Sequence, residues 1–122
     1  MIILRNKSNN KYHNKKKTIN GITFDSKLEA KRYTELLYMQ KANLIKDLEL
    51  QPKFELQPSF KKNNKTYRKI EYVADFKYYD VKKGIVVVED TKSPITKTQV
   101  YILKKKMFEY KYPDLEITEI YK

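Results

Sequence analysis

Ile85-Val86-Val87-Val88-Glu89-Asp90-Thr91-Lys92 is the stretch whose reading decides the fold. Four β-branched residues in succession predict a strand buried on both faces. The run does not close in a neutral turn. It continues into Glu89, Asp90 and Lys92, whose charges are costly to bury unless a partner or a metal ion compensates them. The β-pleat places Val86, Val88, Asp90 and Lys92 on one face, and Ile85, Val87, Glu89 and Thr91 on the other.

The preceding segment, Thr66 to Tyr79, reads as one long strand joined to this one through Val81-Lys82-Lys83-Gly84. Ile70, Tyr72, Ala74 and Phe76 would share one face, with Glu71, Val73, Asp75 and Lys77 on the other. Adjacent strands lie about 4.8 Å apart, so a suitable register brings Asp75 beside Asp90. Two carboxylates that close do not both ionise cheaply unless a cation joins them. All-oxygen ligands point to Mg²⁺, with Mn²⁺ as a substitute. Lys92 is two residues past Asp90, about 6.5–7 Å along the same face. Its ammonium can reach back to orient water or neutralise charge on a phosphate. A plainer reading makes Asp75 a salt-bridge partner of Lys77 or Arg68, and Asp90 and Lys92 a solvated strand end.

Upstream, residues 5–17 are almost wholly polar and basic, which predicts a flexible arm over 1–17 and one folded domain over 18–122. Ile19-Asn20-Gly21-Ile22 is a strong hairpin signal. Ser26-Lys27-Leu28-Glu29 is a capping box opening a helix to about Ala42, with Glu29, Tyr33, Leu36 and Gln40 on one face. Strands follow at 44–50 and 54–60, punctuated by Gln51-Pro52 and Gln57-Pro58, and Lys61 to Lys65 form a basic turn. Beyond Pro94 a second helix fits Thr96 to Lys111. Its apolar stripe would be Val100, Leu103, Met107 and Tyr110, leaving Lys97, Lys104, Lys105 and Lys106 outward. Leu115 to Tyr121 alternates as a last strand. The fold class is α/β, a mixed sheet flanked by helices.

The net charge of +12 favours a polyanionic partner, nucleic acid first and an anionic membrane surface second. Only three of the 27 basic residues are arginine, so lysine-rich codon bias is the bland account of the same charge. The absence of cysteine excludes thiolate metal sites, and the single histidine, His13, makes zinc or Ser-His-Asp chemistry poor candidates. No apolar run approaches transmembrane length, and a cytoplasmic location is expected.

Glu29 in Ser-Lys-Leu-Glu-Ala, Asp75 in Tyr-Val-Ala-Asp-Phe and Asp90-Thr91-Lys92 together resemble the PD-(D/E)XK nuclease superfamily, in particular a group of small phage proteins within it. The resemblance spans roughly residues 18–121. It implies a restriction-endonuclease-like αβββαβ core, Asp75 and Asp90 as metal ligands, Lys92 as the catalytic lysine and Glu29 as a helical carboxylate that also binds metal. Ala74 stands where the name-giving motif has proline. Glu89 is the rival acid to Asp90, and spacing to Lys92 selects Asp90. The implied function is Mg²⁺-dependent hydrolysis of DNA phosphodiester bonds, structure-selective on branched or flapped intermediates, in the host cytoplasm if the chain is phage-encoded. Lys61, Lys62, Lys65, Arg68, Lys97, Lys104 and Lys105 would hold the DNA backbone, and paired incision would require a homodimer. The alternatives are a catalytically inactive DNA-binding module of the same fold and a basic RNA-binding protein using the tyrosine-rich sheet.

Overall fold

The structure, a computed structural model, describes residues 16–93 and 97–121. Its elements are β1 (Lys17–Ile19), β2 (Ile22–Phe24), α1 (Lys27–Lys41), β3 (Ile45–Leu50), β4 (Lys53–Gln57), β5 (Phe60–Lys62), β6 (Lys65–Tyr67), β7 (Ile70–Val73), β8 (Phe76–Asp80), β9 (Ile85–Thr91), α2 (Gln99–Lys111) and β10 (Ile117–Ile120). A four-stranded sheet in the order β10-β9-β8-β3 is the frame. β10 runs parallel to β9, and the other pairings are antiparallel. The expected α/β class and αβββαβ order are therefore present, traced by α1, β3, β8, β9, α2 and β10. The basic arm, where it covers residues 1–15, and the predicted start of the second helix at Thr96 lie outside the described residues.

Local signals in the chain account for the element ends. Asn20 and Gly21 have φ of 51° and 77°, the left-handed pair that a two-residue hairpin turn requires and that Asn-Gly adopts at low cost. The Ser26 side chain accepts a hydrogen bond from the Glu29 N–H at 3.1 Å, as the capping box predicts. Thr98 caps α2 in the same way, accepting from the Tyr101 N–H at 3.2 Å.

Two apolar cores lie on opposite faces of the sheet. On one, α1 and the β1–β2 hairpin bury Phe24, Ala30, Tyr33 and Leu36 against Ile45, Phe76 and Tyr78. On the other, α2 and the β4–β7 pair bury Phe54, Leu56, Tyr72 and Phe108 against Ala74, Val88 and Ile117. Val87 packs against the first core and Val88 belongs to the second, so the pleat of β9 distributes its residues as its alternation requires.

Three expectations need correction. β9 is not buried on both faces along its length: Ile85 and Val86 are 50 % and 39 % exposed, whereas Glu89 and Asp90 are 1 % and 4 % exposed. The apolar end is the outer end of the hairpin, and the charged end enters the protein. The long strand 66–79 is three strands, β6, β7 and β8. It breaks at Ala74-Asp75 opposite Gln51-Pro52, where Gln51 takes a left-handed φ of 52°. Alternation slips there, so Tyr72 and Ala74 join the α2-side core while Phe76 joins the α1 side. The third correction concerns α2. Tyr101 and Phe108 form its buried face, and Val100, Leu103 and Tyr110 of the expected stripe are 63 %, 57 % and 90 % exposed. The rotation buries the larger aromatic surface, where Phe108 meets Phe54 edge-on at 4.9 Å and Tyr72 at 5.5 Å. It also leaves Lys104 and Lys105 half-buried rather than outward.

The burial gradient along β9 predicts unequal costs for the same truncation. Val88→Ala should destabilise by roughly 2 kcal/mol, through lost transfer energy and a residual cavity. Val86→Ala should stay within about 0.5 kcal/mol, as for other surface changes. Urea denaturation of both variants checks this.

Candidate active site

The site forms where β8 and β9 part company. Phe76 pairs with Glu89, and the last ladder bond is the Asp75 N–H to the Glu89 carbonyl at 3.1 Å. Beyond it the chain turns at Ala74-Asp75 into β7, which pairs with β4 instead. β9 continues with β10 alone, to Thr91 opposite Ile120, and the Lys92 N–H donates to the Ile120 carbonyl at 2.9 Å. The other edge of β9 has thereby lost its strand neighbour. Asp75 takes over that role: its Oδ2 accepts from the Thr91 N–H and from Thr91 Oγ1, both at 2.8 Å. A side-chain acceptor replaces the missing carbonyl, as a buried N–H demands.

Asp75 and Asp90 are both buried, 6 % and 4 % exposed, and hydrogen-bond to each other. Burial, and then the neighbouring Asp75 charge, push the Asp90 pKa up to about 8. Burial works in the same direction on Asp75, and the bonds from Asp90 and Thr91 work against it. At neutral pH the pair therefore shares one proton. Tyr72, fixed in the aromatic block with Phe54 and Phe108, donates its hydroxyl to Asp90 Oδ2. Burial, followed by the Asp90 charge, raises the Tyr72 pKa, so this phenol remains a donor. Lys92 folds back as its spacing predicts. Its Nζ lies 3.5 Å from Asp90 Oδ2 and 3.8 Å from the Tyr101 ring centre, an ion pair and a cation–π contact on one ammonium.

Glu89 occupies the opposite face and has a different set of partners. Arg32 Nε and Nη2 grip its two carboxylate oxygens at 2.8 and 2.7 Å, and the Tyr78 hydroxyl donates to Oε2 at 2.5 Å. The bond to Glu89 is the main cause that raises the Arg32 pKa further. Glu89 is thus satisfied from the α1 side, and Asp90 is the acid that stands with Asp75 and Lys92. Lys77, one of the two cations weighed as an Asp75 partner, lies 3.8 Å from Glu49. Glu29 is buried at 1 % exposure in the first turn of α1. Among the described residues no three acidic groups converge on one point, so a cation here would meet the Asp75–Asp90 pair. Two carboxylates with retained waters suit Mg²⁺, which is seldom caged by protein ligands alone.

Sequence reasoning missed Glu119, which the parallel register sets opposite Asp90. It accepts from Tyr101 and Tyr121 at 2.6 Å each and from Lys97 at 3.1 Å, with Lys105 at 3.8 Å. Despite the opposing effect of desolvation, these donors hold its pKa down to about 2. The only advance signal was the acidic residue in an alternating last strand. Of the lysines expected on DNA, Lys97 and Lys105 are engaged with Glu119. Lys61, Lys62, Lys65 and Arg68 are exposed on and beside the β5–β6 hairpin.

Two stability measurements follow. Arg32→Met strands the Glu89 carboxylate in the interior and should cost about 3–5 kcal/mol, read by urea denaturation. For Asp90 the folded pKa lies above its unfolded value. In EDTA the wild-type protein should therefore lose stability as pH rises from about 4 to about 8 and level off above that. Asp90→Asn keeps an acceptor for Tyr72 but does not ionise. It should exceed wild type by more than about 1 kcal/mol at pH 8, a gain that shrinks towards pH 4. Parallel melts across this range check the sign.

Comparison with known proteins places the chain without naming its activity. No curated protein and no solved structure matches it. The family described as "Protein of unknown function (DUF1064)" matches residues 9–122. Because that match takes in both helices, the whole sheet and the Asp75–Asp90–Lys92 site, the chain belongs to this DUF1064 family.

Proposed function

We propose that this protein is a divalent-metal-dependent DNA endonuclease built on a PD-(D/E)XK-like site. The observation that carries the reading is the buried Asp75–Asp90 pair with Lys92 folded over it at 3.5 Å. A purely structural strand end has no need of two adjoining acids and a lysine in a place that costs so much to charge. Asp75 and Asp90 would hold Mg²⁺ or Mn²⁺ in place of their shared proton. The resemblance also implies a role for Glu29, but no three acidic groups converge among the described residues, so the proposed cation rests on the Asp75–Asp90 pair. A bound divalent cation supplies Lewis-acid activation of water and neutralises charge on the scissile phosphate.

The chain's own residues account for the remainder. Lys92 presents its ammonium beside the acids, where it can orient water and stabilise charge developing on phosphate oxygens. Tyr72 and Thr91 fix the two carboxylates in position, and Tyr101 holds the Lys92 ammonium against its ring. The positive charge of the chain supports binding to a phosphate backbone, with affinity falling steeply as salt rises. Nothing in the sequence resembles a base-reading module, which favours recognition of DNA shape and branching. Cutting both strands would require two copies of the chain.

The test is incubation with four-way, flapped, single-stranded and linear DNA in Mg²⁺ or Mn²⁺. Cleavage should occur on at least one branched form and fall at least about 100-fold in Asp75→Asn, Asp90→Asn and Lys92→Ala. The same substitutions should leave DNA binding in EDTA intact. Wild-type protein that cuts none of these substrates with either metal, while still binding them, would support the inactive DNA-binding module instead. Tighter binding to RNA than to every DNA form would overturn both.

A further inference from the structure

The β5–β6 hairpin belongs to neither core. All six of its strand residues are exposed, and none is among the residues packed against the two apolar clusters. It is nevertheless well formed. Phe60 pairs with Tyr67, Lys61 with Thr66 and Lys62 with Lys65. Asn63 and Asn64 close it with φ of 52° and 63°, the left-handed pair of a tight two-residue turn.

One feature of this hairpin works against its own stability, and a second leaves apolar surface uncovered. Lys62 stands directly opposite Lys65, and like charges in that relation repel. No compensating acid is near in sequence, since residues 56–70 contain no aspartate or glutamate but include Lys61, Lys62, Lys65, Arg68 and Lys69. The second feature is an aromatic pair kept in water. The Phe60 and Tyr67 rings stack at 4.8 Å and 11°, yet remain 44 % and 39 % exposed. Lys65 Nζ sits 5.0 Å from the Tyr67 ring centre. An anion between the two lysines would relieve the repulsion, and a flat apolar group would cover the rings. Polynucleotides with unpaired bases supply both at adjacent positions, which is how single-stranded nucleic acid is held elsewhere. A blunt duplex supplies the phosphate but keeps its base faces stacked internally.

We propose that the 60–67 hairpin docks an unpaired stretch of nucleic acid, with a phosphate drawn between Lys62 and Lys65 and a base stacked on the Phe60–Tyr67 pair. The inference rests on the nuclease reading only for the identity of the strand as DNA. It narrows the substrate class to DNA carrying unpaired nucleotides next to a duplex.

Fluorescence anisotropy in EDTA tests this without turnover, using a short single strand, a flapped duplex and a blunt duplex. Phe60→Ala/Tyr67→Ala should weaken binding to the single strand and the flap about tenfold, and change blunt-duplex binding less than about twofold. Lys62→Gln/Lys65→Gln should weaken binding to all three. On the single strand it should reduce the slope of log K against log salt by about 0.7, for the one phosphate held. Its melting temperature at low salt should not fall, because the repulsion is removed. Equal losses on blunt and single-stranded DNA from the aromatic variant would overturn base docking. Unchanged binding in both variants would overturn the hairpin's role altogether. Tighter binding of an oligoglutamate peptide than of the single strand would overturn the nucleic acid as its ligand. These results are read without cleavage, so failure of the nuclease assay leaves them standing. Cleavage by wild type with no hairpin-dependent binding rejects this inference alone.

Discussion

Two consecutive carboxylates, Glu89 and Asp90, are both buried at the inner end of one strand, and the rest of the site follows from that constraint. The pleat sends them to opposite faces of the sheet, so one compensating group cannot serve both. On the α1 side Glu89 receives a two-pronged arginine and a tyrosine hydroxyl, a complete set of donors for a buried acid. On the α2 side Asp90 receives a tyrosine, a lysine at 3.5 Å and a second carboxylate. That second set does not cancel. It is held together by a shared proton. The same strand thus carries an acid that locks α1 to the sheet and an acid left beside a second carboxylate.

The break in the neighbouring strand makes room for this arrangement. Gln51 in a left-handed conformation, followed by the buried Pro52, bends β3 into β4, and the neighbouring strand bends with it at Ala74-Asp75. Had the long strand continued, its backbone would have occupied the edge of β9 where the Asp75 carboxylate now binds Thr91. The bend also turns β7 over the α2-side core, which carries the Tyr72 hydroxyl to Asp90. Aromatic packing and the Tyr72 hydrogen bond together tie the α2-side core to the acid pair. Local rules are broken at the place where an active site would be expected to break them.

The large positive charge does not translate uniformly into binding surface. Lys97 and Lys105 converge on Glu119, opposite Asp90, so part of the basic charge is spent within the fold. Lys92 is turned inward to Asp90 and Tyr101. The hairpin lysines, by contrast, meet no acid within their own segment and face one another. Where cations are left mutually opposed, rather than how many there are, is the more useful guide to an anionic partner.

Much of the element map was legible from local chemistry. The Asn20-Gly21 turn, the Ser26 cap, the helix spans and the final strand follow from backbone preferences that neighbouring residues settle among themselves. The pairing of Asp90 with Lys92, and the separation of Glu89 from Asp90, were also legible, because pleat alternation is a local rule. What only the tertiary structure decided were quantities set by the partners of each element. The rotation of α2 depended on which face could bury Tyr101 and Phe108 against Phe54 and Tyr72, and helical periodicity alone offered a second stripe of similar hydrophobicity. The bend at Asp75 depended on a kink in a strand some two dozen residues away. The burial gradient of β9 reversed its hydropathy because exposure is fixed by position in the sheet, and the apolar end lay beside the turn of a hairpin that projects outward. Sequence alone determined which charged residues had to be explained; the tertiary fold decided which acid was neutralised by arginine and which was left beside a second acid and a lysine.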